Sequence, residues 1–333
     1  MVTDVVFIIV SLALILAACE LFTNSVEWIG KRLNLHQGII GSILAAVGTA
    51  LPETMIPVMA ILVSKGDRAD QVGIGAIAGA PFMLGTLAFF VTGLAVIIYS
   101  LLGKRSRKMQ VDLDVFSKDL TFFILIYGIA VLTTFVQSHF LIKSIIALSL
   151  LMSYIIYVRL IISEDSEQVD EVEPLYLSRL LHVKTGLFWI LAQASAALAG
   201  ILWGAHLFVN GVESLSTLLG IAPLILSIVI TPIATELPEK INSIIWVGRK
   251  KDTLALGNIT GAMVFQSCFP VVFGIIFTPW NLHGITMLSA ILALVSAVLN
   301  LVWIKVKKEV NPFALMFGGV LYLVFIFYLC RFV

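Results

Sequence analysis

Apolar residues run along this chain in blocks of about 20, and the charges collect in short clusters between them. A helix rising 1.5 Å per residue needs about 20 apolar residues to cross the hydrocarbon of a bilayer. The blocks therefore predict ten membrane-spanning helices, roughly over 4–26, 38–63, 72–101, 119–137, 141–162, 186–210, 221–247, 254–279, 284–304 and 311–331. The most polar stretch between blocks, Ser163 to Lys184, carries Glu164, Asp165, Glu167, Asp170, Glu171 and Glu173. It divides the chain into residues 1–163, an acidic linker over 164–184, and residues 185–333, with five predicted spans on either side.

An odd number of spans per half sends the two halves into the membrane in opposite orientations, the inverted-repeat plan of many secondary transporters. The expected fold class is thus all-α and polytopic, with ten transmembrane helices as two inverted five-helix repeats. Basic residues test the layout independently. Loops on one side carry sixteen Lys and Arg residues, among them Lys31, Arg105, Arg159, Arg249 and Lys305; the other side has Lys65, Arg68, Lys143 and Arg331. That asymmetry places both termini outside the cytoplasm and the protein in a plasma or inner membrane.

Composition agrees with the pattern. Sixty per cent of the 333 residues are hydrophobic, 12% are charged, and the mean hydropathy is +1.06, values that no soluble domain of this length carries. A net charge of +1 with no basic stripe gives no reason to expect nucleic acid as a partner. Cys19, Cys268 and Cys330 are far apart and form no CxxC, so neither a zinc knuckle nor a disulfide framework is expected. The apolar run Val5–Ala18 lacks a basic leader and flows into Glu20, which reads as a first transmembrane helix rather than a signal peptide. The acidic linker reads as a solvated tether, since it lacks the alternating acids, central glycine and terminal glutamate of an EF-hand.

One phrase occurs twice. Thr49-Ala50-Leu51-Pro52-Glu53 returns 186 positions later as Thr235-Glu236-Leu237-Pro238-Glu239, each copy inside the second span of its half. At the same offset Leu21, Phe22, Asn24, Val26 and Glu27 match Leu207, Phe208, Asn210, Val212 and Glu213. Proline lacks an amide hydrogen and crowds the turn before it, so Pro52 and Pro238 break the helix just ahead of an acid. Broken backbone at membrane depth is tolerated only where it faces protein or a polar cavity. Freed carbonyls, the Thr49 and Thr235 hydroxyls and the Glu53 and Glu239 carboxylates are all oxygen donors, the ligands that hard cations such as Ca²⁺ and Na⁺ prefer.

Each mid-membrane carboxylate costs about 3 kcal/mol unless compensated, so Glu53, Glu236 and Glu239 call for cations, protons or basic partners. Lys240 follows Glu236 by four residues, on the same helical face. Three carboxylates and one ammonium leave a formal charge of −2, the complement of one divalent cation. The following spans open on small residues, Gly73 to Pro81 and Ala255 to Met263, whose glycines permit close helix approach. Asn258 adds an amide oxygen to the candidate ligands, with Gln266 and Ser267 further along. Glu27 and Glu213 lie near span ends and read as headgroup-level acids, while Asn24 and Asn210 read as groups that cap a helix or hydrogen-bond between helices.

These residues resemble the α-repeats of the calcium:cation antiporter superfamily, which includes the sodium/calcium exchangers. Its pattern is G-[TS]-[SA]-[LA]-P-E on the second and seventh helices, then G-N-x-x-G-S-N on the third and eighth. Gly48 to Glu53 fits the first motif fully; Ala234 to Glu239 departs at Ala234 and Glu236. The later triplet reads Gly79-Ala80-Pro81 and Gly261-Ala262-Met263, so both of its asparagines are replaced, and Lys240 stands where an apolar residue is usual. The resemblance implies a secondary antiporter that exchanges Ca²⁺ for Na⁺ or H⁺ by alternating access. Its cation ligands would be Glu53 and Glu239, supported by Thr49 and Thr235, with Glu236 and Asn258 as further members. The replaced asparagines keep two alternatives open: a monovalent cation/proton exchanger that has lost Ca²⁺, and a non-transporting ion-binding membrane protein. An enzyme is not expected, because the five histidines form no HExxH and no GxSxG is present. No cofactor is expected beyond the ions themselves.

Overall fold

A computed structural model describes residues 2–32, 50–64, 66–136, 140–162 and 173–330, and among these residues the chain is helical with no strand. In chain order the helices are α1 (Val2–Arg32), α2 (Leu51–Met59), α3 (Asp67–Met83), α4 (Phe89–Leu101), α5 (Leu113–Leu132), α6 (Phe140–Ile162) and α7 (Tyr176–Leu181). The second half continues with α8 (Leu187–Leu219), α9 (Pro223–Thr235), α10 (Leu237–Gly248), α11 (Asp252–Gln266), α12 (Phe269–Phe277), α13 (Ile285–Lys307) and α14 (Pro312–Leu329). Among the described residues eight helices or helix pairs are long and apolar enough to cross a membrane, and Leu51–Ser64 and Pro223–Ile233 are shorter apolar helices. The two short ones belong to the predicted second and seventh spans. The stretch 38–49 of the second lies outside the described residues, and the seventh is split between α9 and α10.

The split occurs where the repeated motif requires it. Glu236, between α9 and α10, has φ −91 and ψ 9. Ala50, its equivalent 186 positions earlier, has φ −88 and ψ 6 and stands just before α2. One residue in each copy leaves helical geometry in the same way. Pro52 and Pro238 occupy the first turns of α2 and α10, where a missing amide leaves no intrahelical bond unmade. The prolines inside helices act differently. Pro57 and Pro81 are each followed, three residues on, by a short π-helical segment, Ala60–Ser64 and Leu84–Ala88. Proline loosens the turn before it, and a wider i→i+5 turn takes up the mismatch.

Packing repeats the sequence symmetry. The long helices α1 and α8, first in their respective halves, lie against one another along most of their length. The segment α4 packs on α14, and its counterpart α12 packs on α6. Between halves, α3 lies close against α9 because Gly75 and Gly79 have no side chains. A Cβ on Gly75 would stand 2.7 Å from the Leu224 carbonyl oxygen, and one on Gly79 would stand 2.5 Å from that of Ile228. The small-residue run of the first repeat is thus a helix contact, as its spacing predicts. Gly79→Ala is expected to lower the melting temperature of the detergent-purified protein, at a cost of about 1–3 kcal/mol, because the obstruction is backbone. Gly128→Ala, with nothing within 4 Å among the described residues, is the control that leaves it unchanged or raised.

The end of the acidic linker is tied down. The Asn24 amide donates to the Glu173 carbonyl at 3.3 Å, and its Oδ1 accepts from the Tyr176 amide at 3.3 Å and from Gln193 Nε2 at 3.0 Å. Asn24 thus joins α1, the linker and α8, the second of the two roles read for it from sequence. Asn210 bonds within its own helix instead, to His206 Nε2 at 3.1 Å. Glu213 lies near the end of α8, where Arg68 donates to its backbone carbonyl and to Thr217.

Candidate ion-binding site

Helices α2 and α10 each carry one acid in the first turn, Glu53 and Glu239. Unpaired amides at a helix N-terminus give that end a partial positive charge, so the break that the proline creates also lowers the cost of burying a carboxylate there. Both side chains are buried, Glu53 at 4% exposure and Glu239 at 5%. Neither oxygen of Glu53 nor Oε2 of Glu239 has a hydrogen-bond partner. Glu53 stands within electrostatic reach of Glu239, Glu236 and Lys240, so the motifs of the two halves converge on one region.

Glu236, at the break itself, is fully buried and pairs with Lys240, whose Nζ lies 3.2 Å from Oε2. The same ammonium donates to the Pro232 carbonyl at 3.3 Å, which also accepts from the Glu236 amide at 3.2 Å. Oε1 of Glu236 has no partner. Thr235 is buried, and its hydroxyl donates to the Thr231 carbonyl at 3.0 Å, which leaves its oxygen free to accept. Asn258 on α11 is half-buried, and its amide nitrogen reaches the Glu239 backbone carbonyl at 3.5 Å, at the edge of the group. Thr49 lies outside the described residues. Gln266 ends α11 with a buried Oε1 that has no partner, while the Ser267 hydroxyl bonds back to Met263. Among the described residues no three His, Cys, Asp or Glu side chains stand as a ready-made metal cluster. The acids share one field without sharing one coordination shell.

Three features of this region were not read from the sequence. Cys19 on α1 is buried and within electrostatic reach of both Glu53 and Glu239, which brings α1 to the site. Asp119 on α5, 2% exposed, accepts from the Tyr157 hydroxyl of α6 at 2.9 Å and from the Thr260 hydroxyl of α11 at 2.5 Å. Thr260 is two residues from Asn258, so this network fixes the helix that brings Asn258 to the site. Arg105, from the loop between α4 and α5, forms a buried two-point ion pair with Asp252 at the start of α11. Asp119 is the first residue of its predicted span and Arg105 lies in a basic loop cluster; only tertiary contacts single them out.

A helical membrane protein in which two helices each start on a Leu-Pro-Glu motif, with the acid buried in the first turn, fits the class of two-repeat ion-exchanger folds. The sodium/calcium exchanger protein family matches residues 3–163 and 189–333, and the chain belongs to this family. It is similar to an uncharacterised membrane protein of Methanocaldococcus jannaschii, 24% identical over 296 residues that cover 89% of this chain and 88% of the relative. Among solved structures it superimposes on the H⁺/Ca²⁺ exchanger CAX with a TM-score of 0.71 at 18% identity, covering 98% of this chain and 82% of that one. It also superimposes on the sodium-calcium exchanger NCX_Mj, with a TM-score of 0.59 at 21% identity and 98% of both chains covered. These likenesses establish the fold.

Proposed function

We propose that the protein is a secondary cation antiporter that exchanges Ca²⁺ for Na⁺ or H⁺ by alternating access, holding its ions between Glu53 and Glu239. The observation that carries this reading is the pair of buried acids in the first turns of α2 and α10, with three of their four carboxylate oxygens left without a partner. Uncompensated, two such groups cost about 6 kcal/mol in a bilayer, which a bound cation removes. Family membership and the likeness to structures described as H⁺/Ca²⁺ and sodium-calcium exchangers support the same class. Thr235, Thr49 and Asn258 complete the oxygen set, with the spare Oε1 of Glu236. Binding an ion draws the two acids together, since Ca²⁺ takes six to eight oxygens at about 2.4 Å. On this reading the protein performs no covalent chemistry and takes no cofactor. Both termini lie outside the cytoplasm, in accord with the sixteen-to-four partition of basic residues.

The test is flux in proteoliposomes with Na⁺, K⁺ and proton gradients imposed separately. Accumulation of radioactive Ca²⁺ is expected under an outward Na⁺ gradient or an outward proton gradient, and not under K⁺ alone. Absence of Ca²⁺ movement under every gradient would sink the assignment. One specific observation favours a second reading: Pro81 and Met263 occupy the positions of the two replaced asparagines. If those amides are indispensable for Ca²⁺, the same vesicles will exchange Na⁺ for H⁺ and leave Ca²⁺ outside.

A further inference from the structure

We infer that Lys240 is a tethered cation that holds the ion site at a net charge of −2, so that one divalent cation exchanges for two monovalent ones and each cycle moves no net charge. The inference rests on the exchanger reading above and assigns its stoichiometry.

Two residues distinguish the second motif from the first. The positions equivalent to Glu236 and Lys240 are Ala50 and Thr54, and the Thr54 hydroxyl merely donates to the Ala50 carbonyl at 2.8 Å. In the second repeat the same i, i+4 pair has become an acid and a base, 3.2 Å apart and both buried. The change adds an anion and a cation together. Glu236 alone would have raised the local charge from −2 to −3; with Lys240 beside it, the site keeps the charge of Glu53 and Glu239 and gains one unpartnered oxygen, Oε1.

Lys240 is well placed for this role. Its ammonium is anchored to Glu236 Oε2 and to the Pro232 carbonyl, yet it also acts electrostatically on Glu53 and Glu239. Among the described residues it is the one cationic side chain acting on Glu53. Arg105, the other buried cation among the described residues, is committed to Asp252. Because the ammonium is covalently attached, it cannot leave with the cargo and counts as part of the site in every state.

Charge then fixes stoichiometry. An unneutralised charge at membrane depth costs about 3 kcal/mol even on lenient scales, so the states that cross between the two sides are the neutral ones. A site of −2 is neutral with one divalent cation or with two monovalent cations. Competition between these two loads exchanges equal charge in opposite directions.

The experiment measures Ca²⁺ uptake driven by the coupling-ion gradient, with the membrane potential clamped at zero or inside-negative by K⁺ and valinomycin. The wild-type rate is expected to be the same at both potentials. Lys240→Thr leaves a site of −3, which a divalent cation neutralises only together with one coupling ion, so with no coupling ion on the Ca²⁺ side its uptake should fall about fivefold below the wild type and recover when that ion is added there. Glu236→Ala with Lys240→Thr copies the first repeat, restores −2 and should restore uptake that needs no coupling ion beside Ca²⁺. That rescue separates charge from packing.

If Lys240→Thr proves too slow to assay, the purified protein decides. Apparent Ca²⁺ affinity should fall steadily with coupling-ion concentration in the wild type and the double variant, with a slope of two, and should first rise and then fall in Lys240→Thr. A wild-type rate that depends on potential, or a Lys240→Thr protein whose uptake and affinity are not promoted by the coupling ion, overturns the inference while leaving the exchanger assignment intact. Failure of the wild type to move Ca²⁺ at all removes both.

Discussion

Glu53→Gln is expected to reduce ion-driven Ca²⁺ uptake in proteoliposomes to the background of empty vesicles, and Glu239→Gln to do the same. Glutamine keeps the shape of the side chain, so the helix breaks and their packing survive. The acceptor chemistry does not, because one carboxylate oxygen becomes an NH₂ donor and the charge is lost. Glu53 offers two buried oxygens that no protein group uses, so the amide's effect falls on the ion alone. Glu236→Gln should act differently and less severely. Its Oε2 is already occupied by Lys240, and removing its charge releases an ammonium that repels Ca²⁺, weakening affinity rather than abolishing transport. Uptake at each Ca²⁺ concentration, beside melting curves showing that all three variants are folded, makes the comparison. Substantial uptake retained in both Glu53→Gln and Glu239→Gln would remove these acids from the site.

This ranking could be drawn up largely from the chain itself, for a physical reason. A proline beside an acid in an apolar span violates two local rules at once, and repeating the violation 186 positions later marks it as built rather than tolerated. The break geometry follows from the same residues, which is why Ala50 and Glu236 share their backbone angles. The pairing of Glu236 with Lys240 was equally legible, being an i, i+4 contact within a helix. Long-range partners were not. Asp119 meets Thr260 across 141 positions, and nothing in either segment's periodicity records the other. Asn258 was legible as an oxygen donor but not as a half-buried group at the margin, since helix rotation is set by packing. The predicted ten spans meet a finer division, because π-helical segments and the break at Glu236 interrupt spans that hydropathy reads as continuous.

Arg105→Met is expected to be the most destabilising substitution of a residue away from the carboxylates. Arg105 holds Asp252 at two points, Nη1 to Oδ1 at 2.6 Å and Nη2 to Oδ2 at 2.7 Å, with both side chains nearly inaccessible. The same guanidinium donates to the Val247 carbonyl at 2.8 Å, where α10 ends, and to the Lys108 carbonyl at 3.3 Å in its own loop. It therefore fastens the α4–α5 loop to the end of α10 and the start of α11. Removing one partner of a buried pair strands the other charge, at a cost of about 3–5 kcal/mol. Asp252 retains one donor, the Gln110 amide at 2.8 Å, and the N-terminal field of α11, so the loss should fall at the lower end of that range. Replacing both residues, Arg105→Met with Asp252→Leu, removes the stranded charge and should recover most of the stability. Thermal unfolding of the three proteins in one detergent gives the order: wild type highest, the double variant between, Arg105→Met lowest. An Arg105→Met protein that melts with the wild type would show the pair to be dispensable. Where it does melt early, weakened Ca²⁺ affinity should accompany the loss, because α10 carries Glu239 and α11 carries Asn258, and the clamp holds the two helices at their junction.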